Sequence, residues 1–205
     1  MRKFIQKAMI MPRNLGGGDE VARAIVSKTI TEYADNNITK VGSYAFYACN
    51  QLTFIDLPLV KDIGNYAFYN CSRLKSVVIP SVWEIKESGF SACTSLKTVD
   101  LSVDVYIRDN AFTNCNNLKA IILRSETMSK LFNTNVFDGC YHFLGTAHTI
   151  INPTGAKDGY IYVPSALVES YKTASNWSEF ATQFRALEDY TVDGTITGAL
   201  DETKI

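Results

Sequence analysis

Apolar positions recur through the middle of the chain with a long period. Cys49, Cys71, Cys93 and Cys115 are each separated by 22 residues. The same spacing holds for Leu52, Leu74, Leu96 and Leu118, and for Ile55, Val77, Val99 and Ile121. It holds again for Leu57, Ile79, Leu101 and Leu123. Upstream of each cysteine, Val41, Ile63, Ile85 and Ile107 keep register, as do Phe46, Phe68, Phe90 and Phe112. A small residue (Ala45, Ala67, Gly89 or Ala111) precedes each Phe. The unit is I-x-x-x-A-F-x-x-C-x-x-L-x-x-I-x-L. So many columns agreeing over successive units mark an internal repeat.

Each unit predicts its own elements. Thr53–Leu57, Lys75–Ile79, Lys97–Leu101 and Lys119–Leu123 are short, rich in β-branched residues, and apolar at every second position, which predicts strands. Pro58 and Pro80 close two of them, where the next amide is not needed by a sheet. The A-F-x-x-C stretch predicts one helical or 3₁₀ turn. Such a unit cannot bury its apolar side alone, but a stack can. The expected fold is an α/β repeat: a short solenoid of 22-residue coils with one parallel strand per coil. Counting back from Leu52 and Ile55 reaches Ile30 and Tyr33, so Thr29–Tyr33 is the expected first strand. Asp19–Lys28 has a helical pattern with acidic residues first and Lys28 last, and reads as an N-terminal cap. A fifth turn is expected at Val136–Cys140, with a three-residue insertion. Gly159–Pro164 reads as a final strand, Ser165–Ala174 as a short helix, and the stretch from Asn176 or Ser178 to Leu187 as a second helix. The domains are therefore an arm (1–18), the capped solenoid (19–158), and a C-terminal cap with tail (159–205).

Composition narrows the function classes. The chain has 205 residues, 46% hydrophobic and 20% charged, with 20 basic against 21 acidic side chains. With no basic excess, nucleic acid is a poor partner. No apolar run reaches the roughly 20 residues of a membrane span, so membrane insertion is not expected. The start, MRKFIQKAMIMP, is broken by Gln6 and Lys7 and carries no clear signal peptide. Residues 1–18 read as a flexible arm ending in Gly16–Gly18 or, from their apolar residues, as a docking arm. All five cysteines sit in the repeat column, which reads as buried thiols behaving as small hydrophobes. No C-x-x-C pair exists, and His142 and His148 read as solvated loop residues, so neither a metal nor any other cofactor is expected. No G-x-S-x-G, phosphate-loop or H-E-x-x-H motif occurs, and no catalytic residue is assigned.

Two surfaces are candidates for binding. On the open side of the sheet lie Phe54, Asp56, Lys75, Val78, Lys97, Asp100, Lys119 and Ile122. Phe54, Val78 and Ile122 would be apolar contacts. The three stacked lysines would repel by about 1 kcal/mol or less per pair, which Asp56 and Asp100 could offset. The bland alternative is a solvated face with gatekeeper charges. The second surface is a tyrosine cluster, Tyr44, Tyr47, Tyr66 and Tyr69, flanking the first two A-F turns opposite the sheet. Its rings offer contact area at low entropic cost. The alternative there is that Tyr44 and Tyr66 merely cover the ladder.

The columns, with I-G-x-Y-A-F-Y-x-C at Ile63–Cys71, resemble the BspA-like subfamily of leucine-rich repeats over about residues 30–145. In the commoner leucine-rich pattern Asn or Cys follows the L-x-x-L-x-L strand; here Cys precedes it by three residues. The stretch G-Y-I-Y-V-P-S-A-L-V-E-S-Y-K-T-A-S-N-W-S-E-F resembles the closing segment of many such proteins. The tail A-L-E-D-Y-T-V-D-G-T-I-T-G-A-L-D-E-T-K-I, with I-T-E-Y-A-D-N-N-I-T-K-V-G at the front, is similar to small gut-bacterial and prophage-encoded members. The resemblance implies a leucine-rich-repeat solenoid that binds or adheres to a protein or glycan surface without catalysis, with two settings open: a cell-surface adhesin, or a phage- or prophage-tail component. The alternative is a purely structural subunit, homo-oligomeric through its arm and its tail (190–205).

Overall fold

The computed structural model describes residues 30–144 and 157–190. The arm (1–18), the cap expected over Asp19–Lys28, His148 and the tail past Tyr190 lie outside the described residues. The described residues hold twelve strands: β1 (Glu32–Ala34), β2 (Lys40–Val41), β3 (Phe54–Asp56), β4 (Asp62–Ile63), β5 (Ser76–Val78), β6 (Glu84–Ile85), β7 (Thr98–Leu101), β8 (Tyr106–Ile107), β9 (Ala120–Leu123), β10 (Lys130–Leu131), β11 (Tyr160–Val163) and β12 (Phe184–Ala186). The first strand starts later than expected and pairs Glu32 with Phe54.

Each coil carries two strands, not one. The longer strands form parallel ladders in the order β1-β3-β5 and β7-β9-β11-β12, while β2, β4, β6, β8 and β10 build a second parallel sheet. Register partners are Phe54 with Ser76 and Ile63 with Ile85, each one repeat apart. The second strand arises because the chain turns back after each longer strand; Val60 N–H donates to Leu57 O at 3.2 Å. It then runs straight for two residues, with Val41, Ile63, Ile85 and Ile107 inward and buried. A two-residue strand has too little alternation to be read from sequence.

The A-F-x-x-C stretch is not a helical turn in the first four coils. Tyr44, Ala48, Tyr66, Asn70, Ser88, Ala92, Asn110 and Asn114 all have positive φ, between 55° and 61°. Left-handed backbone costs a non-glycine residue about 1–2 kcal/mol, and hydrogen bonds offset it. Alternate amides reach across to the next coil: Tyr44 N–H to Asn65 O (2.9 Å), Phe46 N–H to Ala67 O (2.7 Å) and Ala48 N–H to Tyr69 O (2.8 Å). The amides between them close turns within the coil, as from Cys49 N–H to Phe46 O at 3.1 Å. Only the last such segment, Thr134–Phe137, is 3₁₀. Gly64 is needed for the approach, since a Cβ there would lie 2.6 Å from Ser43 N.

Inside, the Phe column is a continuous stack. Centroids of Phe46, Phe68 and Phe90 are 4.9 and 5.0 Å apart with planes within 6° of parallel. Tyr33 meets the stack at one end; Phe143 and Phe180 meet Phe137 at the other. The cysteines are buried thiols. Four of them also donate to a backbone carbonyl, which the sequence reading left out: Cys71 Sγ to Phe46 O at 3.0 Å, Cys93 Sγ to Phe68 O at 3.2 Å, and likewise Cys115 and Cys140. Burial pushes these thiols far up, Cys140 to about 12.

At the C-terminus, a 3₁₀ turn (Ser165–Leu167) leads into helix α2 (Val168–Thr173); α1 is the short helix Tyr141–Leu144. The second helix expected through Leu187 ends as a 3₁₀ segment at Gln183, and the chain becomes β12. Phe184 enters the core beside Tyr171 and Trp177, and extended backbone lets its strand pair with β11. Ser129 anchors this cap: its N–H donates to Tyr171 Oη (2.7 Å), and its carbonyl accepts Trp177 Nε1–H (2.9 Å).

Candidate functional site

The open face of the first sheet is set by strand alternation. Ile55, Val77, Val99 and Ile121 point inward and are buried, so their neighbours point out. The register sets Asp56 beside Val78, and Phe54 stands two residues from Asp56 on the same face. All three are half-buried. Burial pushes the Asp56 carboxyl above its ordinary value, and among the described residues no neighbouring charge or side-chain hydrogen bond acts on it. Lys75, Lys97 and Lys119 are exposed. They do not pair with the aspartates of the face: Lys119 Nζ meets Asp158 at 3.0 Å.

Asp100 behaves differently from Asp56. Arg124 forks onto it, Nε to Oδ1 at 2.8 Å and Nη2 to Oδ2 at 2.7 Å. The hydrogen bonds it donates to Asp100 hold the Arg124 guanidinium above its usual value. Ile122, expected as an exposed apolar contact, is fully buried at 0% exposure. It stands in register between Asp100 and Tyr162, and Tyr190 packs on Tyr162 at 4.8 Å. Those large neighbours close over it, so Ile122 leaves the list of contacts.

The cap extends this face with residues the sequence reading did not assign. Tyr160 pairs with Ala120, and Tyr162 with Arg185. The Arg185 guanidinium lies 4.4 Å from the Tyr160 ring centroid. The signal was present in Tyr-Ile-Tyr-Val, where Ile161 and Val163 are buried and the tyrosines alternate with them.

The tyrosine cluster forms two stacks on the turn ladder. Tyr44 on Tyr66 and Tyr47 on Tyr69 each lie at 5.2 Å with nearly parallel planes. Tyr44 and Tyr47 are 51% and 41% exposed. Tyr66 donates to Glu87 at 2.9 Å, a bond that raises its pKa. A third aromatic group escaped the sequence reading because it runs diagonally over the two-residue strands. Trp83 meets Tyr106 edge-on at 6.1 Å, Tyr106 meets Phe132 at 6.0 Å, and the Arg108 guanidinium lies 3.8 Å over Phe132.

His142 is not a solvated loop residue. It is 2% exposed in α1, and its Nδ1 is 2.5 Å from Asp158 Oδ1. Burial would raise the Asp158 carboxyl, but hydrogen bonds from Lys119 and His142 outweigh it and hold the group below its usual value. The contact ties α1, just after Cys140, to the residues leading into β11. Among the described residues, no three His, Cys, Asp or Glu side chains gather as metal ligands would, and no helix is long and apolar enough to cross a membrane.

A family model described as BspA type Leucine rich repeat region, in 6 copies, matches residues 27–143. Among solved structures, a T. pallidum leucine-rich repeat protein is 25% identical, with a TM-score of 0.50 over 54% of this chain and 55% of that one. A leucine rich cell surface protein from Faecalibacterium prausnitzii is 24% identical, with a TM-score of 0.55 over 75% of this chain and 35% of that one. The chain thus spans about half and about a third of the lengths of these two proteins. Among curated proteins none matches.

Proposed function

The chain belongs to the BspA-type leucine-rich repeat family, and from that premise we propose that it is a non-enzymatic binding module whose open sheet face meets a protein surface. One observation carries the reading. Phe54, Asp56 and Val78 form a mixed apolar and acidic patch on a parallel sheet, half-buried, whereas in the later coils Arg124 covers Asp100 and Ile122 is fully buried. The F. prausnitzii protein is a cell surface protein by its description, which fits adhesion as the setting. The test is binding of the labelled full chain to intact cells, with and without protease treatment of the cells. A Phe54→Ser/Val78→Ser variant is expected to lose protease-sensitive binding. Retention of full binding by that variant overturns the reading.

A second reading has its own support in the exposed Tyr44–Tyr66 and Tyr47–Tyr69 stacks. These suit a glycan, and Tyr44→Ser/Tyr47→Ser would then abolish glycosidase-sensitive binding instead. The finer setting we propose, a phage-tail component, rests on the sequence resemblance of the tail. The purely structural alternative predicts an oligomer held by the termini. Size-exclusion chromatography with light scattering on the full chain and on residues 19–205 separates the two: loss of a defined oligomer on truncation favours the structural subunit.

A further inference from the structure

Asp56 and Asp100 occupy the same column of the open face, two coils apart, so each shows what the other lacks. Asp100 has a forked arginine. That arginine, Arg124, follows β9 and so stands in the coil after Asp100. In the coil after Asp56 the matching position is Pro80, which can donate nothing. Among the described residues no side chain takes its place; burial alone acts on the Asp56 carboxyl. Its neighbours Phe54 and Val78 are half-buried apolar walls.

We infer that Asp56 is the receptor for one arginine side chain of a partner protein, seated between Phe54 and Val78 as Arg124 is seated on Asp100. The inference rests on the proposal that this face binds a protein. Arginine fits better than lysine for a physical reason. Its planar fork matches a carboxylate in two hydrogen bonds, and it is more weakly hydrated than an ammonium, so it tolerates apolar walls. Neutralising a carboxylate that burial already disfavours adds to the gain.

The test selects from a random short-peptide phage-display library on the immobilised full chain. Enriched peptides are expected to carry arginine and to bind Asp56→Asn about tenfold or more weakly. Pro80→Arg is expected to block them, because it supplies the missing guanidinium from within. Saturation with a selected peptide should also bring the Asp56 titration, followed by carboxyl-carbon NMR, down toward the ordinary carboxylate range. No enrichment, arginine-free peptides, or binding unchanged by Asp56→Asn overturns the inference. The broader reading fails separately: arginine-free peptides that are lost on Phe54→Ser/Val78→Ser leave the face a binding surface, and peptides insensitive to that variant remove it.

Discussion

The two ends of the open sheet face are built on one backbone and finished in opposite ways. Over β7, β9, β11 and β12 the molecule closes the face itself. Arg124 forks onto Asp100, Arg185 lies on Tyr160, Tyr190 packs on Tyr162, and Ile122 is sealed beneath. Over β3 and β5 the same columns hold Phe54, Asp56 and Val78 half-exposed, with Pro58 and Pro80 where the later coils have Ser102 and Arg124. The interior beneath is alike at both ends, a Phe stack and a Cys column. What differs is the source of the covering groups. Arg124 is local, but Tyr160, Tyr162, Arg185 and Tyr190 come from the cap. A solenoid's repeats fix its core, and its terminal cap decides how much of its face remains available.

The sharpest way to break the comparison is to attack what the two ends share. Phe90→Ala removes the ring between Phe68 and Phe112, at 5.0 and 5.8 Å. It should cost about 3–5 kcal/mol, and unfolding by denaturant should remain one transition if the stack couples both ends. Two separated transitions would show that the ends fold independently. Tyr171→Phe acts on the cap alone. It leaves the buried Ser129 N–H without its 2.7 Å acceptor, at a cost of about 1–3 kcal/mol. Fluorescence of the buried Trp177 should report this loss, and hydrogen exchange in β3 and β5 should barely change.

The core was legible in the sequence because it repeats: each Phe, Leu and Cys position is stated several times over. The turn geometry was not. Tyr44, Ala48 and Ala92 are ordinary residues held at positive φ by hydrogen bonds to a neighbouring coil, and no local signal announces that. Candidate site residues were legible only by alternation. It placed Phe54, Asp56, Val78 and Asp100 on the outward side of their strands, but it could not show that Ile122 is covered by residues about 40 and more positions later. His142 failed for the same reason, since its partner Asp158 lies across an insert. What depends on one pair of distant residues is written once in a sequence, and no column points to it.

The finest test sets the two aspartates against each other. Asp100→Asn breaks a partly buried fork and should cost about 1–2 kcal/mol at neutral pH. Asp56→Asn removes a carboxylate that no described group stabilises, and its effect should stay within about 0.5 kcal/mol. The pH dependence of Asp56 has a definite sign. Burial raises the folded-state pKa above the unfolded value, so the folded protein holds that proton more tightly. Its contribution to stability is fully present below the unfolded pKa and is lost as pH rises through the folded one. Denaturant titrations between about pH 3 and 6 should therefore show the unsubstituted chain losing stability relative to Asp56→Asn as pH rises. Introducing Pro80→Arg should reverse that slope, because the folded carboxyl would then be held below its unfolded value, giving Asp56 the environment that Arg124 gives Asp100. If the slope is unchanged by Pro80→Arg, the two positions are not equivalent, and the difference between the two ends lies in the backbone rather than in which side chain follows the strand.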